Sequence, residues 1–250
     1  MNILVCLSSV PDTTSKINFN NNNQEFDLNG VSFVINPYDE FCLTKAILIK
    51  EKNTKTNITV INVGEQMNDS ILRKALAIGA DKAVRINIKA THAQIVANAL
   101  AHYCNDNQFD IIFCGRESID YNSGIVPGLL AAKMKMPFIN GCISLDISEN
   151  TIETKREIDN GHELSKSNLP AVIAGQKGLV EEKELRIPSM RGIMTARSKP
   201  LEVLEYNIKL EQEIKAIIYD KPKERSECVM IPDDNVGKLV ELLTNEAKVI

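Results

Sequence analysis

Short apolar runs recur along this chain at Ile3–Leu7 (ILVCL), Asn57–Val63 (NITVINV), Lys82–Ile86 and Asp110–Cys114 (DIIFC). A strand buried on both faces reads as a continuous apolar run, and such strands belong to parallel sheets covered by helices. The segments between them carry helix signals. Asn36-Pro37-Tyr38-Asp39-Glu40 offers a capping side chain, a proline for the first turn and acids for the positive end of a helix running to about Lys52. Asp69–Ile78 closes on Gly79, the residue type expected just past a helix end. Thr91–Cys104 and Ser123–Met134 supply two more helices. Strand and helix alternating at this spacing predict an α/β fold, a doubly wound, mainly parallel sheet with right-handed crossovers and helices on both faces.

After Pro137 the pattern changes. Ile143–Ile147, Thr151–Glu157 and Glu163–Ser167 read as short strands separated by the turn residues Glu149-Asn150 and Asp159-Asn160-Gly161, a small β-meander over 143–167. Leu169–Ala174 reads as one more core strand, and Lys16–Phe19 with Glu25–Asp27 as a small hairpin around Asn20 to Asn23. The stretch from Gln176 to Lys199 is polar and locally basic, with Leu179 read as an exposed contact residue in a charged loop. Beyond Pro200 periodicity is low until a terminal helix, Asn235 to Ala247. So long a stretch with little core character suits reaching a partner. The expected organisation is an α/β domain over 1–199 and a C-terminal arm over 200–250.

Charge and composition exclude several classes. A net charge of −4 and a pI of about 5.6 argue against a general nucleic-acid binder. Six cysteines lack any ligand spacing, and Cys6 and Cys114 sit in apolar runs where a reduced thiol packs as a small hydrophobe. The opening residues carry no basic stretch and too short an apolar run for a signal peptide, and no segment approaches the ~20 apolar residues of a membrane span. A cytoplasmic protein without membrane insertion is expected. His92, His102 and His162 are scattered, which points to neither a metal site nor a catalytic constellation.

The stretch GRESIDYNSGIVPGLLAA, Gly115 to Ala132, lies where a strand hands over to a helix. In open α/β sheets ligands bind beyond the carboxyl ends of the strands, at the point where strand order reverses. Cys6-Leu7-Ser8, Asn36–Asp39, Val63-Gly64 and Gly115–Val126 all follow strands that can meet there. Ser123-Gly124 would open a helix whose free N–H groups suit a phosphate. The fingerprint is neither GxGxxG nor GxxxxGK[ST], so neither a dinucleotide dehydrogenase nor a P-loop NTPase is supported.

Six blocks in order resemble the β subunit of electron transfer flavoproteins nearly end to end. They are Val10–Thr13, Ile35–Glu40, Ile71–Asp81, Gly115–Asp120, Lys155–Gly161 with Leu169–Val172, and Arg186–Met194. The resemblance implies a non-catalytic electron carrier with an adenine nucleotide alpha-hydrolase-like fold. It further implies a heterodimer with an α subunit around a shared FAD, and a structural AMP. Implied partners are flavin dehydrogenases such as acyl-CoA dehydrogenase, with a quinone oxidoreductase as a downstream acceptor. The positions matched to the nucleotide are Cys6, Asn36, Pro37, Tyr38, Asp39, Val63, Gly115, Arg116, Glu117, Ser118, Ile119, Asp120, Asn122, Ser123, Gly124, Ile125 and Val126. Asn36 and Asp39 are read as contacts to adenine or ribose, Ser118 and Ser123 as phosphate partners. Leu179, Val180 and Glu181 match the partner-recognition loop, within 176–192.

This chain also departs from the family. Ser8-Ser9 replaces a basic pair after the first strand, and Ile125 stands where a Gln amide is usual. About three extra residues precede Arg186 in the recognition loop. Two other readings stand beside the main one. One is a flavin-bifurcating β subunit with a second FAD in place of AMP. The other is a stand-alone nucleotide-binding module of universal-stress-protein type.

Overall fold

The computed structural model describes residues 1–206, 218–223 and 228–250. Its strands are β1 (Asn2–Cys6), β2 (Ser9–Pro11), β3 (Phe19–Asn20), β4 (Glu25–Phe26), β5 (Phe33–Ile35), β6 (Asn57–Val63), β7 (Lys82–Ile86), β8 (Ile111–Gly115), β9 (Phe138–Ser148), β10 (Thr151–Ile158), β11 (Gly161–Asn168), β12 (Ala171–Gly175) and β13 (Leu201–Leu204). The helices are α1 (Pro37–Lys52), α2 (Asp69–Ile78), α3 (Ala93–Asp106), α4 (Ile125–Met134), α5 (Met190–Ala196) and α6 (Val236–Glu241).

Nine strands form the main sheet in the order β11-β10-β9-β12-β8-β1-β6-β7-β13. The pairs from β12 to β13 are parallel, and β9, β10 and β11 pair antiparallel. From β1 the chain winds through β6 and β7, then crosses back to lay β8 and β12 on the other side of β1. The strand order therefore reverses between β1 and β8. Alternation along the strands builds two cores. Ile3 and Val5 of β1, Ile111 and Phe113 of β8 and Ile173 of β12 pack with Leu43 and Ile47 of α1 and Leu72 and Leu76 of α2. Leu4, Cys6, Ile112, Cys114 and Val172 face the other way, onto Leu100 and Tyr103 of α3 and Leu130 of α4. That is the doubly wound α/β arrangement.

The structure adds elements that sequence reading did not anticipate. β2 and β5 form a separate antiparallel pair. β9 is longer than the expected strand at Ile143, because its first residues pair in parallel with β12 (Val172 opposite Phe138) before Gly141, at φ +63°, turns it toward β10. Within the irregular stretch, Ser189 accepts from the Gly192 N–H at 3.0 Å and starts α5, which packs on α2. β13 pairs with β7, so the sheet extends past the expected boundary at Lys199. Tyr206 packs against the α3 side, its ring edge-on to His102 at 4.3 Å.

The arm expected over 200–250 includes 207–217 and 224–227, which lie outside the described residues. Tyr219 stacks on Phe19 with centroids 5.0 Å apart, and its N–H donates to Asn23 O at 2.7 Å, tying the arm to the β3–β4 hairpin. Asn235 caps α6 by accepting from Lys238 N–H, and a wider π-type turn over Leu242–Glu246 follows.

Candidate functional site

At the carboxyl ends of β8, β1 and β6, where the strand order reverses, lies a cavity of about 390 Å³. One end is formed by the loop after β8 and the first turn of α4. Gly124 adopts φ +60° as the N-cap of α4, with no side chain capping the helix. The N–H groups of Ile125 and Val126 thus open the helix at the cavity, while Pro127 contributes none. Ser118 and Ser123 line the same end. The opposite end is built from Ile61, Asn62 and Val63 of β6, Asn68 in the turn after it, and the start of α3, where His92 caps the helix by accepting from Gln94 N–H at 3.2 Å.

Beneath the cavity, Asp39 bridges the reversal. Its carboxylate accepts from Ser8 N–H at 2.6 Å, just after β1, and from Gly115 N–H at 2.7 Å, at the end of β8. Only 2 % of the residue is exposed. Burial pushes its carboxyl up from 3.8 to about 7, opposed by the N–H donors. Gly115 has to be glycine here, because a Cβ would collide with the Asp39 carboxylate and with Tyr38 Cβ at 2.7 Å. Cys6 and Cys114 lie side by side on the cavity floor. The neighbouring Cys114 thiol, then burial, holds the Cys6 thiol well above its ordinary value, so it packs rather than attacks.

Of the residues singled out in the sequence, Cys6, Asp39, Val63, Gly115, Glu117, Ser118, Asp120, Ser123, Gly124, Ile125 and Val126 line this cavity. Asn36, Pro37, Tyr38, Arg116, Ile119 and Asn122 do not. Asn36 is wholly buried and spends both ends of its amide on the loop, donating to Glu117 O at 2.9 Å and accepting from Ile119 N–H at 3.2 Å. It shapes the cavity rather than facing it. Tyr38 lies beneath the Arg116 guanidinium, 5.9 Å from its ring centre, and Arg116 reaches away to Gln176 Oε1 at 3.0 Å. Asn122 closes the loop's turn with its N–H on Ser118 O at 2.8 Å.

Ser9, Asn62, Asn68 and the residues Ala90 to Ala93 line the cavity without having been singled out as contacts. The signal for them was weak, an asparagine near the end of β6, another in the turn after it and a Thr-His pair before α3. Ser9 Oγ is buried and has no hydrogen-bond partner among the described residues. The described lining holds no Lys or Arg; its ionisable carboxylates are Asp39, Glu117 and Asp120. An anion here would be held by backbone N–H groups and hydroxyls.

The chain matches the electron transfer flavoprotein domain over residues 26–208. It is 36 % identical to the electron transfer flavoprotein subunit beta of Bacillus subtilis, with 100 % of both chains covered. It is 30 % identical to the subunit of that name from Syntrophomonas wolfei, over 100 % of this chain and 98 % of the relative. The mouse subunit is 27 % identical over 96 % of each chain. The chain belongs to the electron transfer flavoprotein beta-subunit family. No described helix is long and apolar enough to cross a membrane, and no group of three or more His, Cys, Asp or Glu among the described residues is arranged to hold a metal ion.

One expectation for this family member is overturned. Leu179 is 4 % exposed and Val180 equally buried, so neither projects from the loop as a contact residue. A turn closed by Leu179 N–H on Gln176 O at 3.1 Å, with Gly178 at φ +105°, folds Leu179 back onto Gly175 and into the α1-side core. Glu181 remains exposed. The apolar residues that do project are Ile187, 86 % exposed, Met190, 78 %, and Met194, 71 %.

Proposed function

We propose that this chain is the β subunit of a heterodimeric electron transfer flavoprotein that holds a structural AMP in the cavity at the β8–β1 reversal. It shares an FAD with an α subunit and takes electrons from flavin dehydrogenases for a downstream acceptor. The observation that carries the nucleotide assignment is the uncapped start of α4 behind Gly124, facing a cavity lined by Ser118 and Ser123 with no basic side chain in its described lining. A monophosphate at α4 would be met by the Ile125 and Val126 N–H groups and the Ser118 and Ser123 hydroxyls. Its base would then lie toward β6 and α3, between Val63 and Val96. Bound FAD supplies the electron-accepting chemistry, and this chain's part is to hold, orient and present.

Two surfaces support the assembly reading. Val229, Met230, Val236 and Ile250 are exposed along the C-terminal arm, apolar area suited to an α subunit. Ile187, Met190 and Met194 cluster around α5 and suit dehydrogenase docking, in the role the sequence had assigned to Leu179. Co-expression with an α subunit followed by nucleotide extraction tests the proposal. One FAD and one AMP per heterodimer are expected. Two FAD would favour the bifurcating reading, and a complex carrying FAD alone would overturn the AMP assignment.

A further inference from the structure

At the end of the cavity away from α4, the side chains of Asn62 and Asn68 form a chain with only one permitted orientation. Asn62 Nδ2 donates to Leu7 O at 2.8 Å, and a backbone carbonyl can only accept. The Asn62 amide oxygen must therefore point toward Asn68, whose Nδ2 donates to it at 3.0 Å. Turning the Asn68 amide over would set two acceptors against each other. Asn62 cannot follow, because its own oxygen would then face the Leu7 carbonyl. Asn68 is left with one N–H and its carbonyl oxygen in a fixed order beside the cavity.

The turn that carries Asn68 is itself pinned. Arg85 is 5 % exposed at the end of β7. Its guanidinium grips both ends of the turn, Gly64 O at 3.1 Å and the Asp69 carboxylate at 2.6 Å, and holds Asn87 Oδ1 at 2.7 Å. Gly64 leaves the space that the Asn68 amide fills, since a Cβ there would collide with Asn68 Nδ2. So much fixing of one partly exposed amide exceeds what a surface turn needs.

We infer that Asn68 reads the purine edge of the bound nucleotide and selects adenine over hypoxanthine, with Asn62 and Arg85 as positioning residues. The inference rests on the nucleotide reading above. Adenine presents a donor at N6 beside an acceptor at N1, which a fixed oxygen and N–H match. Hypoxanthine presents an acceptor at O6 beside a donor at N1, the reverse order at the same places. A free amide would accommodate either base by turning over. This one is held by the Leu7 carbonyl, and a well-placed bidentate contact of this kind discriminates by about tenfold to a hundredfold.

Calorimetric titration of the nucleotide-stripped full chain with AMP and with IMP tests this. The parent is expected to bind AMP at least about tenfold more tightly than IMP. Asn68→Ala should bring the two affinities within about threefold, and Asn68→Asp, which accepts from one donor of either base and opposes the acceptor beside it, should abolish the preference as well. Equal affinities in the parent would overturn the inference on their own, whether or not either variant folds. An AMP-to-IMP ratio unchanged in Asn68→Ala would do the same, by assigning discrimination to the backbone. A parent that binds neither nucleotide would overturn the nucleotide reading and this inference with it.

Discussion

Asp39→Asn isolates the one buried carboxylate at the strand reversal. Burial raises the carboxyl in the folded chain from 3.8 to about 7, and at 1.36 kcal/mol per pKa unit this disfavours its charged form by about 4 kcal/mol. The folded chain therefore holds the proton to higher pH than the unfolded chain does. Stability from this group is greatest below the unfolded value, falls as pH rises through the window from about 4 to about 7, and is level above it. About 2–3 kcal/mol of that loss lies between pH 5 and pH 8. Asparagine carries no titration. Its oxygen can accept from Ser8 or Gly115 N–H but not both, at a pH-independent cost of about 1–3 kcal/mol. The parent's advantage over the variant should shrink by about 2–3 kcal/mol on going from pH 5 to pH 8, measured by urea unfolding of the nucleotide-free chain. Other titrating groups are common to both proteins and cancel in the difference. Unfolding free energies that run parallel across this range would refute the reasoning, because Asp39 would then titrate as an exposed carboxyl does.

Three further perturbations separate packing from binding. Gly124→Val places a β-branched residue at φ +60°, which should cost about 1–3 kcal/mol in thermal or urea unfolding and lower the AMP content of the purified complex; full AMP content would remove α4 from the phosphate site. Leu179→Ala should destabilise the fold by about 2–5 kcal/mol as a core truncation, whereas Ile187→Ser with Met190→Ser should leave unfolding unchanged and slow stopped-flow reduction by a flavin dehydrogenase. A chain ending at Lys199 loses β13 and should unfold at lower denaturant than one ending at Tyr206, with only the latter keeping the parent's midpoint.

Much of this fold was legible because its parallel strands are buried on both faces. β6, α2 and β7 fall at Asn57–Val63, Asp69–Ile78 and Lys82–Ile86, the bounds their residue types predict. Continuous apolar runs and a closing glycine are local signals. What escaped was decided by distant partners. β13 is a strand because β7 offers an open edge, and Glu202 shows it by sitting in a sheet at the register of Val84. Leu179 is the clearest instance. Its neighbours Lys177, Glu181 and Glu182 are exposed, and local composition argued that it was exposed too. Its burial depends on a turn at Gly178 and on a gap above Gly175 that any larger residue would close, neither of which local polarity encodes. At the cavity the same distinction holds. Glycines and serines after strands marked the loop, but whether a side chain faces inward depends on which neighbours claim its polar atoms. Asn36 was matched to the nucleotide through the family resemblance and through its chemistry, whereas in the structure the Glu117 and Ile119 backbone takes both ends of its amide.

Arg116 carries that argument one step further. It sits in the loop beneath which a phosphate would lie, yet its guanidinium turns from the cavity to Gln176, and its own N–H donates to Gly175 O at 2.9 Å. Gln176 in turn donates to Glu157 at 3.3 Å, so the loop after β8, the start of the 176–192 segment and the meander are joined in one chain of contacts. The segment that follows carries Ile187, Met190 and Met194, the apolar residues assigned to docking. A cation drawn away from an anion site would be a poor choice for tight phosphate binding, and backbone N–H groups serve there instead. Its position makes sense as a brace. Whatever orders the Gly115–Val126 loop also fixes, through Arg116, the point from which the docking segment leaves the sheet. Under the proposal that the cavity holds an AMP, bracing the docking segment would be a structural use for it.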